Sequence, residues 1–312
     1  MNHNLHRNSI HAFIDLGTNT FHLLIAEIAN EEATILFRTK VIVGLGAGGI
    51  NNNRITSEAQ HRGLTTLKKF SAYIASYNVS KVSAFGTSAL RNAENSSEFI
   101  SLIQKETKIQ IDVIDGNREA ELIHLGIAGH EFVAEFPYLI MDIGGGSTEF
   151  IVANENTILW KKSFEVGVQR LIADYFDGDP PSKASITQLN QYLALFLNDL
   201  QEVKAFNVKD LIGASGTFTT LLNMYIAASD HNKSNMEVIP RSFFKDIFKD
   251  LLRLPRAERI KMPGMSAPRA DLIIMGGCLV NFVLDELNID KFYVSDNGLK
   301  EGALILAQKG KL

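Results

Sequence analysis

The chain has 312 residues, 46% hydrophobic and 21% charged, with seven prolines. That is ordinary globular composition, and at roughly 100–200 residues per domain the length is that of two. A formal charge of −4 argues against a general nucleic-acid binder, and the single cysteine, Cys278, excludes an internal disulfide framework. No run reaches the roughly 20 apolar residues of a membrane span. The polar stretch 1–10 lacks the apolar core of a secretory signal, so the cytoplasm is the expected compartment.

In chain order, residues 12–16, 21–28 and 33–43 read as the strands of a meander, the first two joined by Gly17-Thr18-Asn19-Thr20. A glycine-rich stretch, Gly44-Leu45-Gly46-Ala47-Gly48-Gly49, precedes a helix over 57–77 with Leu64, Leu67, Phe70 and Ile74 at helical spacing. A strand at 81–85, a helix at 96–107, a strand at 109–114 and a helix beginning near Asn117 follow. The second half repeats the theme, with strands at 138–143, 149–153 and 157–166 and a helix over 185–203. Strands at 209–213 and 292–295 come later, with helices at 218–228, 241–252, 255–261 and 270–287; residues 229–235 read as a surface loop. Each half is therefore α/β with a mixed sheet. The expected domains are 1–126 and 127–312, with a last helix of about 299–312 packing back on the first.

The two meanders share a motif. Ile14-Asp15-Leu16-Gly17-Thr18-Asn19-Thr20 and Met141-Asp142-Ile143-Gly144-Gly145-Gly146-Ser147-Thr148-Glu149 each run from an apolar strand through an aspartate into a turn of small residues. Glycine lets the main chain approach a phosphate closely, and successive N–H groups of such a turn grip an anion. Asp142 at the mouth of the turn would repel bare phosphate, so holding a hard cation such as Mg²⁺ is the economical role for it. Neither turn carries the Gly-Lys-Ser/Thr of a nucleotide P-loop or the spacing of the dinucleotide fingerprint. Gly213-Ala214-Ser215-Gly216-Thr217 is a third small-residue turn at a helix start. Gly276-Gly277 fits either a ligand contact or close helix packing, and the basic series Lys245, Lys249, Arg253, Arg256, Arg259 and Lys261 fits either a polyanion track or a solvated face.

These segments resemble the exopolyphosphatase/guanosine pentaphosphate phosphohydrolase family of the actin, sugar kinase and Hsp70 superfamily. So do Gly86-Thr87-Ser88-Ala89-Leu90-Arg91, Asp115-Gly116-Asn117-Arg118-Glu119-Ala120, Arg269-Ala270-Asp271 and Ser295-Asp296-Asn297-Gly298-Leu299-Lys300-Glu301-Gly302. The resemblance covers nearly the whole chain and stops before the further HD-type domain that family members often carry. It implies two actin-like (ribonuclease H-like) domains with the active site in the cleft between them. The implied phosphate-binding residues are Asp15, Gly17, Thr18, Asn19, Arg91, Gly144, Gly145, Gly146, Ser147, Gly216 and Thr217. Mg²⁺ or Mn²⁺ would sit on Asp142, with Glu149 as a second ligand or as the residue that positions water.

The family pattern Glu-Glu-Ala-Arg, whose second acid is the base, falls on Arg118-Glu119-Ala120-Glu121 and selects Glu119. Arg118 and Glu121 depart from that pattern, and Arg118 is expected to weaken Glu119 as a base. The resemblance implies hydrolysis of the terminal phosphoanhydride of polyphosphate or, alternatively, of guanosine pentaphosphate. A non-catalytic polyphosphate or alarmone sensor and an actin-like ATPase are the competing classes; a homodimer is left open.

Overall fold

A computed structural model describes residues 9–128, 137–154, 157–229 and 238–312. The chain forms two compact units, Met1–Gly129 with Asn297–Leu312, and His130–Asp296. In the first, β1 (Ser9–Leu16), β2 (Thr20–Ala29) and β3 (Glu32–Ile42) form the meander. They are followed by α1 (Ser57–Ser76), β4 (Lys81–Gly86), α2 (Ser88–Asn92), α3 (Ser96–Thr107), β5 (Ile111–Val113) and α4 (Gly116–Ala128). The sheet order is β3-β2-β1-β4-β5, with β1 antiparallel to β2 and parallel to β4, and β4 parallel to β5. Alternation along β1 sends Ala12, Ile14 and Leu16 into a core with Leu67 and Phe70 of α1 and Phe99 and Ile103 of α3. Thr56 caps α1 by accepting Ala59 N–H at 3.2 Å.

The second unit holds β6 (Tyr138–Ile143), β7 (Thr148–Ala153), β8 (Ile158–Phe164), α5 (Val168–Tyr175), α6 (Lys183–Phe196), β9 (Leu211–Ala214) and α7 (Gly216–Ser229). It continues through β10 (Val238–Pro240), α8 (Arg241–Arg253), α9 (Arg256–Arg259), α10 (Ile273–Glu286) and β11 (Lys291–Ser295). Its sheet order is β10-β11-β9-β6-β7-β8. Read from β8, a three-stranded meander is again followed by two parallel strands beside its first strand, with β10 added antiparallel at the edge. Both units thus have the topology of actin-like, ribonuclease H-like domains.

Residues 185–203 do not form one helix. The α-helix ends at Phe196, and a 3₁₀ helix runs over Asn198–Phe206. Leu197, Leu200 and Val203 are all buried, and their spacing of three keeps one row facing the core only at three residues per turn. The loop expected at 229–235 lies outside the described residues except for Ser229, which closes α7. The short helices α2 and α5 and the edge strand β10 are additions to the sequence reading.

After β11 the chain returns to the first unit as α11 (Leu299–Gln308), which packs on α4. Two glycines allow the backbones to meet. A Cβ on Gly126 would overlap the Gly298 carbonyl, and one on Gly302 would overlap the Leu122 carbonyl. Among the described residues no helix is long and apolar enough to cross a membrane.

Candidate active site

The two Asp-Gly turns are built alike. Gly17 N–H donates to Thr20 O at 3.2 Å, and Gly144 N–H donates to Ser147 O at 2.9 Å. A Cβ on either glycine would stand 2.9 Å from that same carbonyl oxygen, so no other residue fits without opening the turn. Asp15 and Asp142 occupy matching places near the ends of β1 and β6, opposite His22 and Glu149 respectively. Both turns lie at the C-terminal edge of the parallel strands, where open α/β sheets bind ligands.

The carbonyl groups of both turns are held from behind. Thr18 O accepts Gly46 N–H at 3.0 Å, and Asn19 O accepts the N–H groups of Val43 and Gly44, each at 2.9 Å. In the second turn Gly144 O accepts Val168 N–H at 3.1 Å and Gly145 O accepts Gln169 N–H at 2.8 Å. Arg170 Nε donates to Gly146 O, also at 2.8 Å. A trans peptide sets its N–H opposite its C=O. Capping the carbonyls of Gly144, Gly145 and Gly146 therefore aims the N–H groups of Gly145, Gly146 and Ser147 to the other side, as an anion-binding concavity requires. The same logic directs Asn19 and Thr20 N–H in the first turn.

At the sheet edge of the first unit, Asp115 Oδ1 accepts Arg118 N–H at 2.8 Å and so caps α4, whose first turn carries Glu119. Arg91 Nη1 lies 3.0 Å from Glu119 Oε2 and donates to Ile114 O at 3.1 Å. The two side chains are 17% and 10% exposed. Arg91, expected to clamp phosphate, is paired with Glu119 at a helix start, where negative charge is favoured.

In the second unit, the register opposes Asp142 to Glu149, which places the two carboxylates side by side on one face of the sheet. Glu149 is buried and accepts Ser163 Oγ–H at 2.7 Å. Two adjacent carboxylates suit Mg²⁺, which binds one or two of them and takes phosphate oxygens and waters for the rest of its shell. Among the described residues, no set of three or more His, Cys, Asp or Glu gathers to hold a metal.

The third turn is tied to the second by Ser215, which has φ +80° and donates its Oγ–H to Ile143 O at 2.6 Å. Gly216 opens α7, and the Arg269 guanidinium lies where a Cβ on Gly216 would be. Thr217 turns its side chain into α10, into space that a Cβ on Gly276 would fill, leaving its backbone at the helix start. Gly277 packs likewise on Phe248, so the glycine pair serves helix packing. Burial pulls the Arg269 guanidinium below its ordinary range, and among the described residues no group pairs with it. A cation set at the positive end of a helix is unfavourable until an anion joins it. Arg269 had a motif in the sequence but no role; its lack of a partner appears only in three dimensions.

A profile of the Ppx/GppA phosphatase family matches residues 24–309. The chain belongs to that family. The crystal structure of an exopolyphosphatase from Cytophaga hutchinsonii is 40% identical, covers 97% of this chain and 98% of its own, and superposes with a TM-score of 0.91. The Ppx/GppA family member of Aquifex aeolicus is 26% identical over 98% of this chain and 99% of its own, with a TM-score of 0.79. A bifunctional 3-dehydroquinate synthase/phosphatase of Fusobacterium nucleatum is 30% identical over 97% of this chain and 47% of its own length.

Against the Ppx/GppA pattern, the two departures beside Glu119 meet each other. Arg118 Nη1 lies 3.1 Å from Glu121 Oε2, while Glu119 is held by Arg91. The basic series is paired throughout: Lys245 with Asp285, Lys249 with Asp246, Arg253 with Asp250, Arg256 with Asp271, Arg259 with Asp179 and Lys261 with Glu258. Arg259 is fully buried, while the other five pair with carboxylates at the surface.

Proposed function

We propose that this chain is an exopolyphosphatase that hydrolyses the terminal phosphoanhydride bond of inorganic polyphosphate. The observation that carries the reading is the nearly buried Glu119, fixed by Arg91 at the start of α4 on the same sheet edge as the Asp15 turn. The likeness to the Cytophaga exopolyphosphatase supports polyphosphate as substrate. Glu119 takes a proton from water as the water oxygen bonds to the terminal phosphorus; the bond to the bridging oxygen breaks, releasing orthophosphate and a chain one unit shorter. The N–H groups of Gly145, Gly146 and Ser147 and the Arg269 guanidinium bind phosphoryl oxygens. Asp142 and Glu149 would hold Mg²⁺ or Mn²⁺, which supplies charge neutralisation when bound.

The test is phosphate release from polyphosphates of defined length and from guanosine pentaphosphate, side by side with Mg²⁺ or Mn²⁺, with Glu119→Gln as control. Release from polyphosphate that the variant loses supports the proposal. Release from guanosine pentaphosphate alone transfers the chemistry to that substrate. Tight binding of either compound without release makes the protein a sensor and sinks hydrolysis.

A further inference from the structure

The three carbonyl groups of the second turn are not capped by the same kind of donor. Those of Gly144 and Gly145 take main-chain N–H groups from the start of α5, whereas that of Gly146 takes the guanidinium of Arg170 at 2.8 Å. The matching carbonyl of the first turn, Asn19, is met by two main-chain N–H groups; the nearby arginine, Arg62, stands one step back, on the carbonyls of Val43 and Gly44. Arg170 is 15% exposed, and its Nη2 lies 3.2 Å from Glu165 Oε2.

We propose that Arg170 is a positioning residue for the second phosphate turn: it holds the Gly146 carbonyl back so that Ser147 N–H faces the anion. The inference rests on the phosphate-binding reading of that turn. Three consecutive glycines give the turn no side chain of its own to fix its peptides, and glycine crosses readily between left- and right-handed backbone conformations. A flip of the Gly146–Ser147 peptide would present a carbonyl oxygen to phosphate in place of a donor. The two main-chain caps stop at Gly145, so the last peptide depends on Arg170. Glu165 offsets the charge of the guanidinium, which makes its contribution one of orientation more than of long-range attraction.

Two readouts test this in Arg170→Ala. The first is phosphate release, where kcat/KM is expected to fall about 10²-fold, the usual effect of losing one oriented donor, and millimolar guanidinium ion is expected to restore part of it. The second is independent of hydrolysis: the ¹⁵N amide signals of Gly145, Gly146 and Ser147 titrated with inorganic phosphate. The wild-type signals of Gly146 and Ser147 should shift, the variant's should not, and guanidinium should bring the shift back. If the wild type responds to phosphate but hydrolyses nothing, the proposed function fails while the role of Arg170 stands. Unchanged kinetics and unchanged amide shifts in the variant overturn that role, as does a wild type whose turn amides ignore phosphate. Should the alanine variant not fold, Arg170→Lys, which keeps the charge and loses the fork, takes its place with reduced amide shifts expected and full shifts overturning the idea.

Discussion

Arg91 Nη1 lies 3.0 Å from Glu119 Oε2, and this pair joins α2 to the first turn of α4. Both side chains are largely buried, so removal of either partner takes away an ion pair shielded from water. Arg91→Met should cost about 3 kcal/mol of stability and lower kcat as Glu119 loses its fixed orientation. Glu119→Gln, which keeps hydrogen bonding without the charge, should lower kcat by about 10²–10⁴-fold at nearly unchanged KM. Thermal melts together with phosphate-release kinetics separate the two effects.

Arg118 and Glu121 form an exposed i,i+3 pair. Arg118→Glu or Glu121→Arg alone should set like charges together, at a cost of about 0.3–0.5 kcal/mol. The double exchange should restore stability, and its activity should stay within about twofold of wild type, since Glu119 has Arg91 as its partner. A double-mutant cycle in urea measures the coupling; a coupling of zero would discount the pair.

Gly216→Val should push the Arg269 guanidinium off the start of α7, and Arg269→Met should remove it. Both are expected to raise KM for polyphosphate by about 10- to 100-fold, the worth of one charged hydrogen bond, with a smaller change in kcat. Steady-state kinetics checks this.

Gly126→Ala forces a methyl group onto the Gly298 carbonyl, which, as backbone, cannot rotate away. The packing of α4 on α11 should loosen by about 1–3 kcal/mol, and since α4 carries Glu119, activity should fall with it. The midpoint of denaturant unfolding reads the first effect and kcat the second.

Burial pushes the Cys278 thiol up to about 12. In the folded protein at pH 8 it should therefore not react with an aromatic disulfide reagent, and one equivalent should react once the chain is unfolded. Raised relative to the unfolded chain, this group supports stability fully below its unfolded value of about 9.0, and that support is lost as pH rises towards 12.

The meander strands were legible in the sequence because alternation with period two leaves a local record: Ala12, Ile14 and Leu16 declare one face without help from the rest of the chain. The Asp-Gly turns were legible for a similar reason, since a glycine that must clear a carbonyl three residues on is a local constraint. The 3₁₀ stretch after Leu197 was not, because its periodicity resembles a helix until the burial of Leu197, Leu200 and Val203 decides between them. The short helices α2 and α5 carry too few turns to show a period.

By itself the sequence determined two α/β halves and two matching small-residue turns, and the family resemblance pointed to Glu119 as the expected base. Tertiary structure alone decided who holds whom: Arg91 on Glu119, Arg118 on Glu121, Arg170 on the Gly146 carbonyl, and Arg269 against Gly216 with no described partner. A local pattern records what a residue is and which face it takes. Which charge is neutralised and which is left for a ligand depends on residues tens of positions away, and folding alone brings those together.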